Sequence, residues 1–448
     1  THTIIFASTI QRSYGASSMD YPVKHQKLAG WANYPVIEAD VATPGNYDQV
    51  RDYVAKNERL IARGNGKSYG DASLAPHVLS TLALRRMIHF DAVTGEIECE
   101  AGVLLSEILA EVIPHGWFFY VTPGIKHITV GGAIASDVHG KNHPTHGCFS
   151  NYLISFELMT ESGEIVHCSK IEHADLFWKT CGGMGWTGII LSARFRLRPI
   201  RSTQMDQHTV WADNWEQLFG ALSGRDSYEY AAAWVDSLAA GAQFGRGAVF
   251  FANHAEGQGS EPLVFQEKKP GNVPFTPPVS LINRWSTRIH NTMYLRKKPP
   301  GDYPVDLDSY FYPLDGVRNW NRMYGPRGFV QYQFCLPEHN AFDGIAKALQ
   351  AIQNSPDAPF LTVLKRHGER PPEAKYSFPI KGYSLALDFP RTRSIFSLVR
   401  KLDEIVWAAE GKIYLTKDAG SDRKMGRVEV GDFEEKKWWS ALKGRVET

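Results

Sequence analysis

The chain has 448 residues, 43% hydrophobic and 22% charged, with 49 Lys and Arg against 48 Asp and Glu. That length exceeds one compact core and predicts two or three domains. The near-zero charge excludes the global field of a nucleic-acid binder, and no apolar run approaches the roughly 18–20 residues that span a bilayer.

The opening THTIIFASTIQRSYG lacks a basic stretch followed by an apolar core, so no leader is expected, although the missing initial Met leaves a trimmed one open. From about Tyr21 to Pro199 short strands mix with helices. Residues 43–57 (TPGNYDQVRDYVAKN) read as a capped helix and 59–64 (RLIARG) as a strand running into a Gly-rich turn. Residues 87–102 form a hairpin, and 104–116 a helix stopped by Pro114 and Gly116. A second hairpin spans 154–169, a short helix 173–180, and a long strand 187–199. Hairpins interleaved with helices predict an α+β class.

Beyond residue 201 the pattern changes. Helices are expected at 211–224, 339–355 and 392–411. Strands are expected at 227–237, 247–253, 328–336, 360–366, 383–389 and 412–418. Such units predict one antiparallel sheet with helices on one face. Between them, residues 268–298 hold seven Lys or Arg, four Pro and no acid, with Phe275, Trp285 and Tyr294 interleaved. The segment reads equally as a poorly ordered surface insertion or as a mobile arm that meets an anionic lipid surface.

Two Gly-rich motifs mislead. GMGWTG (183–188) matches GxGxxG, but a helix precedes it and a strand follows, the reverse of a dinucleotide site. GNGKS (64–68) lacks the first Gly of a phosphate loop, since Ile61 stands there. Yet ARGNGKSYGDAS (62–73) can form a nest of free N–H groups for a pyrophosphate, and the small residues of 122–140 let a flat ring approach backbone. Together with the GGMGWTG turn, these runs point to a large dinucleotide cofactor.

His139, His143 and His146 raise a metal site as an alternative. Gly140 and Pro144 oppose the helix that would align the first two, so no metal is expected. Five scattered cysteines, Cys99, Cys148, Cys168, Cys181 and Cys335, contain no CxxC pair and argue against a disulfide framework.

Taken in order, ARGNGKSYGD, TPGIKHITVGGAIASDVHGKNH and CGGMGWTGII resemble the FAD-binding domain of the vanillyl-alcohol-oxidase-type flavoproteins. GGAIASDVHGKNH, PLDG (313–316), GFVQYQF (328–334) and YLTKD (414–418) are most similar to the branch that oxidises polyprenylphosphoryl-β-D-ribose at the 2′ position. The resemblance implies an FAD-binding domain from residues 1–200 and 412–448. The substrate domain would be 201–411, carrying a basic mobile insertion at 255–300.

By motif, the resemblance assigns Arg63, Gly64, Asn65, Gly66, Lys67, Ser68, Tyr69, Gly70, Asp71 and Ala72 to the FAD pyrophosphate. Gly124, Thr129, Val130, Gly131, Gly132, Ser136, Asp137, Val138, His139, Ile189 and Tyr414 would line the rest of the cofactor. Lys67 stands where many relatives carry a histidine bonded to flavin, so FAD is expected to be non-covalent. Ala386 stands where some members of the branch carry a cysteine, so no thiol chemistry is assigned there.

The implied reaction oxidises a ribose C2′–OH, with Lys417 the first candidate base and His139 the alternative. Gln331 and Gln333 share a strand face opposite Tyr332; the resemblance puts both at the sugar, with Lys365 pairing with the substrate phosphate or a sugar hydroxyl and Tyr312 closing the pocket wall. A separate NADH-dependent short-chain reductase is the expected partner, because the product ketone must be re-reduced and no nicotinamide motif is present. The protein is expected at the cytoplasmic face of the inner membrane as a peripheral protein, with the periplasm left open. Competing readings are an aldonolactone or alditol oxidase using oxygen, a zinc hydrolase on the histidine cluster, and a membrane-binding scaffold.

Overall fold

The computed structural model describes residues 3–4, 20–224, 227–257, 263–265, 267, 269–420, 433 and 437–447. Most of the opening stretch read for a leader lies outside them, as do Lys268 of the basic segment and residues 421–432, 434–436 and 448 of the C-terminal return.

The first part of the chain opens with β1 (Thr3–Ile4), β2 (Val23–Ala29), β3 (Val36–Ala42), α1 (Tyr47–Lys56), β4 (Leu60–Arg63) and β5 (His77–Ser80). It continues with β6 (Met87–Asp91), β7 (Glu96–Glu100), α2 (Leu105–Val112), β8 (Trp117–Phe119), α3 (Val130–Ala135) and α4 (His143–His146). It closes with β9 (Leu153–Met159), β10 (Ile165–Ser169), α5 (Ala174–Thr180) and β11 (Ile189–Pro199). Strands β2 to β5 make a four-stranded sheet in which β3, β5 and β4 run parallel. The remaining strands form a seven-stranded antiparallel sheet centred on β11.

The second part begins with β12 (Gln204–Ala212), α6 (Trp215–Ser223), β13 (Tyr230–Val235), β14 (Gly247–His254), β15 (Gly271–Asn272) and α7 (Arg284–Arg296). Next come β16 (Gly301–Asp306), α8 (Leu307–Phe311), β17 (Val317–Arg318), β18 (Phe329–Pro337), α9 (Glu338–Gln353) and β19 (Leu361–His367). The last elements are β20 (Gly382–Pro390), α10 (Ile395–Ala408), β21 (Lys412–Ile413) and α11 (Ala441–Glu447). An eight-stranded antiparallel sheet has the order β16-β12-β14-β13-β19-β20-β18-β21. Val330, Tyr332, Phe334 and Leu336 of β18 and Leu385, Leu387 and Phe389 of β20 pack with α6, α9 and α10 into one core. Helices α6, α9 and α10 therefore cover one face, and the class is α+β.

Local chemistry sets these boundaries. Asn46 begins α1 by accepting from the Gln49 N–H at 2.9 Å, and Asn214 begins α6 in the same way from Gln217 at 3.0 Å. Each satisfies a donor that the first helical turn leaves open. The cap at Asn214 explains why the helix expected at 211–224 starts late: residues 204–212 are already committed to β12, paired on both edges.

Two further expectations change. The strand expected at 412–418 stops after Ile413, because Lys417 N–H closes a turn on the Tyr414 carbonyl at 3.0 Å. Its two strand residues pair with β18 of the large sheet, and the return to the first sheets is made instead by Trp438, bridged to Leu60. The basic segment contains helix α7, begun by a capping box in which Asn283 Oδ1 accepts from Ser286 N–H at 3.1 Å and Ser286 Oγ accepts from Asn283 N–H at 3.0 Å.

Candidate active site

A cavity of about 690 Å³ lies between the two halves of the chain and is lined by Gly64 to Tyr69, Thr129, Gly131, Gly132, Ser136, His139 and, opposite them, the large sheet. Its first wall is mostly backbone. A Cβ at Gly64 would sit 2.1 Å from Thr129 Oγ1, and Gly66 holds φ +62 above the Arg63 guanidinium. Only residues without a side chain let the turn fold this tightly. Thr129 also caps α3 by accepting from the Gly132 N–H at 3.1 Å, so the two small-residue runs share one contact.

The opposite wall is made of side chains. Alternation along β18 and β20 turns Gln331, Gln333, Ser384, Ala386 and Asp388 away from the helices and toward the cavity. Register then builds rows across the sheet: Gln331 beside Asp388 and Leu361, Gln333 beside Ala386 and Val363, and Cys335 beside Ser384 and Lys365. The Gln331 amide donates to Asp388 Oδ1. The two walls touch where Gln333 Nε2 comes within 3.3 Å of His139 Nε2.

Lys417 enters from the turn after β21, its ammonium 3.7 Å from the centre of the Tyr69 ring. This turn is clamped to the Gly-rich turn. Tyr69 N–H donates to the Thr416 carbonyl at 3.1 Å, and a Cβ at Gly70 would lie 1.7 Å from the Asp418 carbonyl oxygen. Arg445 of α11 ties both turns together, reaching Asp71 at 3.0 Å and Asp418 at 2.8 Å.

Burial dominates the electrostatics. It lowers the Lys417 pKa from the ordinary lysine value, Asp388 opposing and Lys365 adding to the effect. It raises Asp388, with the Gln331 hydrogen bond and Lys417 pulling the other way. His139 is held well below the usual imidazole range by burial and by Lys365, His143 and Lys417, so its ring stays neutral.

Of the residues singled out from sequence, Gly64 to Tyr69, Ala72, Gly124, Thr129, Gly131, Gly132, Ser136, Val138, His139 and Tyr414 line this cavity, with Gln331, Gln333, Lys365 and Lys417. Seven others are set back from its surface. Arg63 props the turn from behind, donating to the Ala29 carbonyl at 2.7 Å and Ser73 Oγ at 3.1 Å. Gly70 and Asp71 serve the clamp just described. Val130 and Ile189 are core. Asp137 points away to Ser150, whose N–H and Oγ it accepts at 2.9 Å. Tyr312 is buried against Thr122, hydroxyl to hydroxyl at 2.8 Å.

Asp388 and Lys141 line the cavity without having been singled out as site residues. For Asp388 the signal was present in YSLALDF, where polar Ser384 and Asp388 share a face of an otherwise apolar strand. The histidine cluster is divided: His143 Nδ1 accepts from the Gly368 N–H at 3.1 Å, while His146 Nε2 lies 3.1 Å from Glu229. Among the described residues no three His, Cys, Asp or Glu are grouped to hold a metal ion.

The family profile described as an FAD binding domain matches residues 39–169. Decaprenylphosphoryl-β-D-ribose oxidase of Mycolicibacterium smegmatis is 32% identical over 420 residues, 90% of this chain and 91% of its own. The chain belongs to that family of FAD-linked oxidases. L-gulonolactone oxidase of Bos taurus, 25% identical over 187 residues, covers only 40% of this chain and 42% of its own.

The protein is thus an FAD-dependent oxidoreductase, and its site fits the cofactor on two observations. The first wall is bare backbone where a flat ring and a pyrophosphate must approach. His139 Nδ1, Gln331 Oε1 and Asp388 Oδ2 are buried at the cavity without a hydrogen-bond partner, leaving capacity that a bound group can use.

Proposed function

We propose that the protein oxidises the 2′-hydroxyl of a polyprenylphosphoryl-β-D-ribose to the 2′-ketone, the first half of an epimerisation to the arabinose form used in cell-envelope glycans. One observation carries this reading: Lys417, Gln331, Asp388 and His139 converge on one cavity whose other wall is the FAD cradle. FAD, when bound, would supply the hydride acceptor for the alcohol carbon.

Lys417 takes the hydroxyl proton. Its lowered pKa supplies the neutral amine at moderate pH. His139 is the weaker base, since cations and burial hold its pKa far lower, and its role is to hydrogen-bond beside the ring. Gln331 and Gln333 orient the sugar hydroxyls, because an amide both donates and accepts. Gly64 to Tyr69 and Ala72 hold the pyrophosphate, and Gly124, Thr129, Gly131, Gly132, Ser136, Val138 and Tyr414 the rest of the cofactor, with Val130 packed behind them. Arg63, Gly70, Asp71, Asp137, Ile189 and Tyr312 act behind them. The cofactor is held without a covalent bond, since Lys67 occupies the histidine position and its ammonium lies 3.5 Å from the centre of the Trp31 ring. Residues 1–200 with the C-terminal return after β21 form the cofactor domain and 201–411 the substrate domain, whose sheet β21 extends.

The ketone is re-reduced by a separate NADH-dependent short-chain reductase. This is supported by the inverted context of GMGWTG, which follows α5 and precedes β11. No helix among the described residues is long and apolar enough to cross a membrane. Peripheral contact with the cytoplasmic face of the inner membrane is supported by α7, where Trp285, Ile289 and Met293, spaced by four, are exposed along one stripe. The deciding experiment is turnover of farnesylphosphoryl-β-D-ribose against free sugars, under air and with an artificial acceptor. Oxidation of the phosphoribose is expected; preference for free aldonolactones or alditols would overturn the proposal.

A further inference from the structure

Past Gln333, one repeat further along the strands, the cavity becomes strongly cationic. Lys365 on β19 and Lys141, two residues after His139, both line it, and Lys298, just after α7, stands at its rim. Lys141 and Lys365 are each half-buried, and both line the cavity. Lys141 donates to the Tyr310 carbonyl and lies 4.0 Å from the centre of that ring. Lys365 sits among His139, His143 and His367, three imidazoles that burial holds toward neutrality, with its charge adding to the effect.

Among the described residues, no carboxylate forms an ion pair with Lys141 or Lys365, and the nearby acids are engaged elsewhere. Asp308 pairs with Lys126 at 2.5 Å, Glu229 with His146 and Arg198, and Asp388 with Gln331. Burial, reinforced for Lys141 by Lys365 and Lys298, lowers Lys141 to about 7; burial alone lowers Lys365 to about 8. Two inward cations without a counter-charge disfavour the folded state unless a bound anion compensates them.

We propose that Lys141 and Lys365, with Lys298 at the rim, seat the phosphate of a phosphoryl lipid, one row of the sheet beyond the sugar-binding glutamines. The assignment rests on the polyprenylphosphoryl reading above and adds where the charged group lies. The apolar surface beyond it, formed by Trp234, Phe250, Tyr294, Val305 and Phe311, would take the first lipid units on the way to α7.

Calorimetric titration of the FAD-loaded protein with farnesyl phosphate tests this without requiring turnover. Lys141→Met and Lys365→Met are each expected to weaken farnesyl phosphate about 10- to 100-fold while leaving farnesol unchanged. Inorganic phosphate alone should bind the wild type more weakly than farnesyl phosphate. Unchanged farnesyl phosphate affinity in both variants, or equal affinity of the wild type for farnesol, overturns the seat. Inorganic phosphate binding as tightly as farnesyl phosphate overturns its assignment to a lipid.

Because each Met removes an uncompensated charge, the melting temperature of the FAD-loaded variant should hold or rise, which a merely structural lysine would not produce. Lys141→Gln and Lys365→Gln give the same contrast if a Met variant loses FAD. Turnover of the ribose analogue by the wild type tests the underlying reading separately: its absence, with farnesyl phosphate binding intact, would overturn the ribose and leave the phosphate seat standing.

Discussion

The two walls of the cavity are built by different means. On the cofactor side, Gly64, Gly66, Gly131 and Gly132 expose backbone, and recognition comes from what is missing at each Cα. On the sheet side, Gln331, Gln333, Asp388 and Lys365 project from three strands, and recognition comes from charge and hydrogen bonding. On the function proposed above, the first wall holds the cofactor and the second carries the groups that act on the substrate. Substitutions should therefore separate binding of FAD from turnover.

Lys417→Met is expected to have the largest effect, lowering kcat by about 10²- to 10⁴-fold as the proton acceptor is lost. FAD content, read from absorbance of the purified protein, should stay unchanged. Loss of flavin along with turnover would break the division between the walls, because Lys417 would then belong to the cofactor side. In the wild type the rate should fall as pH falls through the lowered lysine pKa, since only the neutral amine accepts a proton. It should level off well below 10.5.

Gly64→Val tests the opposite wall. Its first new atom would meet Thr129 Oγ1 at 2.1 Å. Overpacking of that kind should weaken FAD by about 10- to 100-fold. Equilibrium dialysis against FAD gives the number, and a variant that binds normally but turns over slowly would contradict the assignment.

How far each wall could be read from sequence follows from the same difference. The cofactor wall is written locally: ARGNGKSYGD and ITVGGAIAS carry their geometry within a few residues, and the inverted context of GMGWTG is visible from its flanks. Alternation was enough to place Gln331 and Gln333 on one face. The same rule applied to YSLALDF puts Ser384, Ala386 and Asp388 on one face, but no local feature distinguishes a buried strand acid from a solvated one. Its burial depends on α9 and α10 closing the far face of the sheet and the cofactor side closing the near one. Lys141 reads from sequence only as part of the loop after His139, since its cavity position depends on Tyr310 and Phe311, far along the chain. KIYLTKD alternates like a strand, yet Lys417 reaches the site only because the chain turns after Ile413.

Asp388→Asn sharpens the sheet side further. Asp388 favours the charged form of Lys417, so removing its charge should lower the lysine pKa again. The acid limb of the pH–rate profile should then move to lower pH by about one unit. An unmoved limb would separate Asp388 from the base and leave it a partner of Gln331 alone.

The smallest effect on chemistry is expected at the far end of the substrate side. Helix α7 has two faces: Thr287 and Asn291 are buried, the latter donating to Asp236 Oδ1 at 2.7 Å, whereas Trp285 is 74% exposed. The inner face also supplies His290 and Tyr294 to the cavity. A soluble sugar would not require an apolar outer face, but a substrate drawn from a bilayer would, and cations at Arg288, Arg296 and Lys297 suit anionic headgroups. Trp285→Ser with Ile289→Ser should lower co-sedimentation with vesicles containing anionic lipid by about tenfold, at roughly 1 kcal/mol or less for each lost apolar contact. Turnover of a short-chain substrate in detergent should be unchanged, since neither residue lines the cavity. Equal loss with and without a membrane would mean that the outer face supports the fold of α7 and has no separate role at the lipid surface.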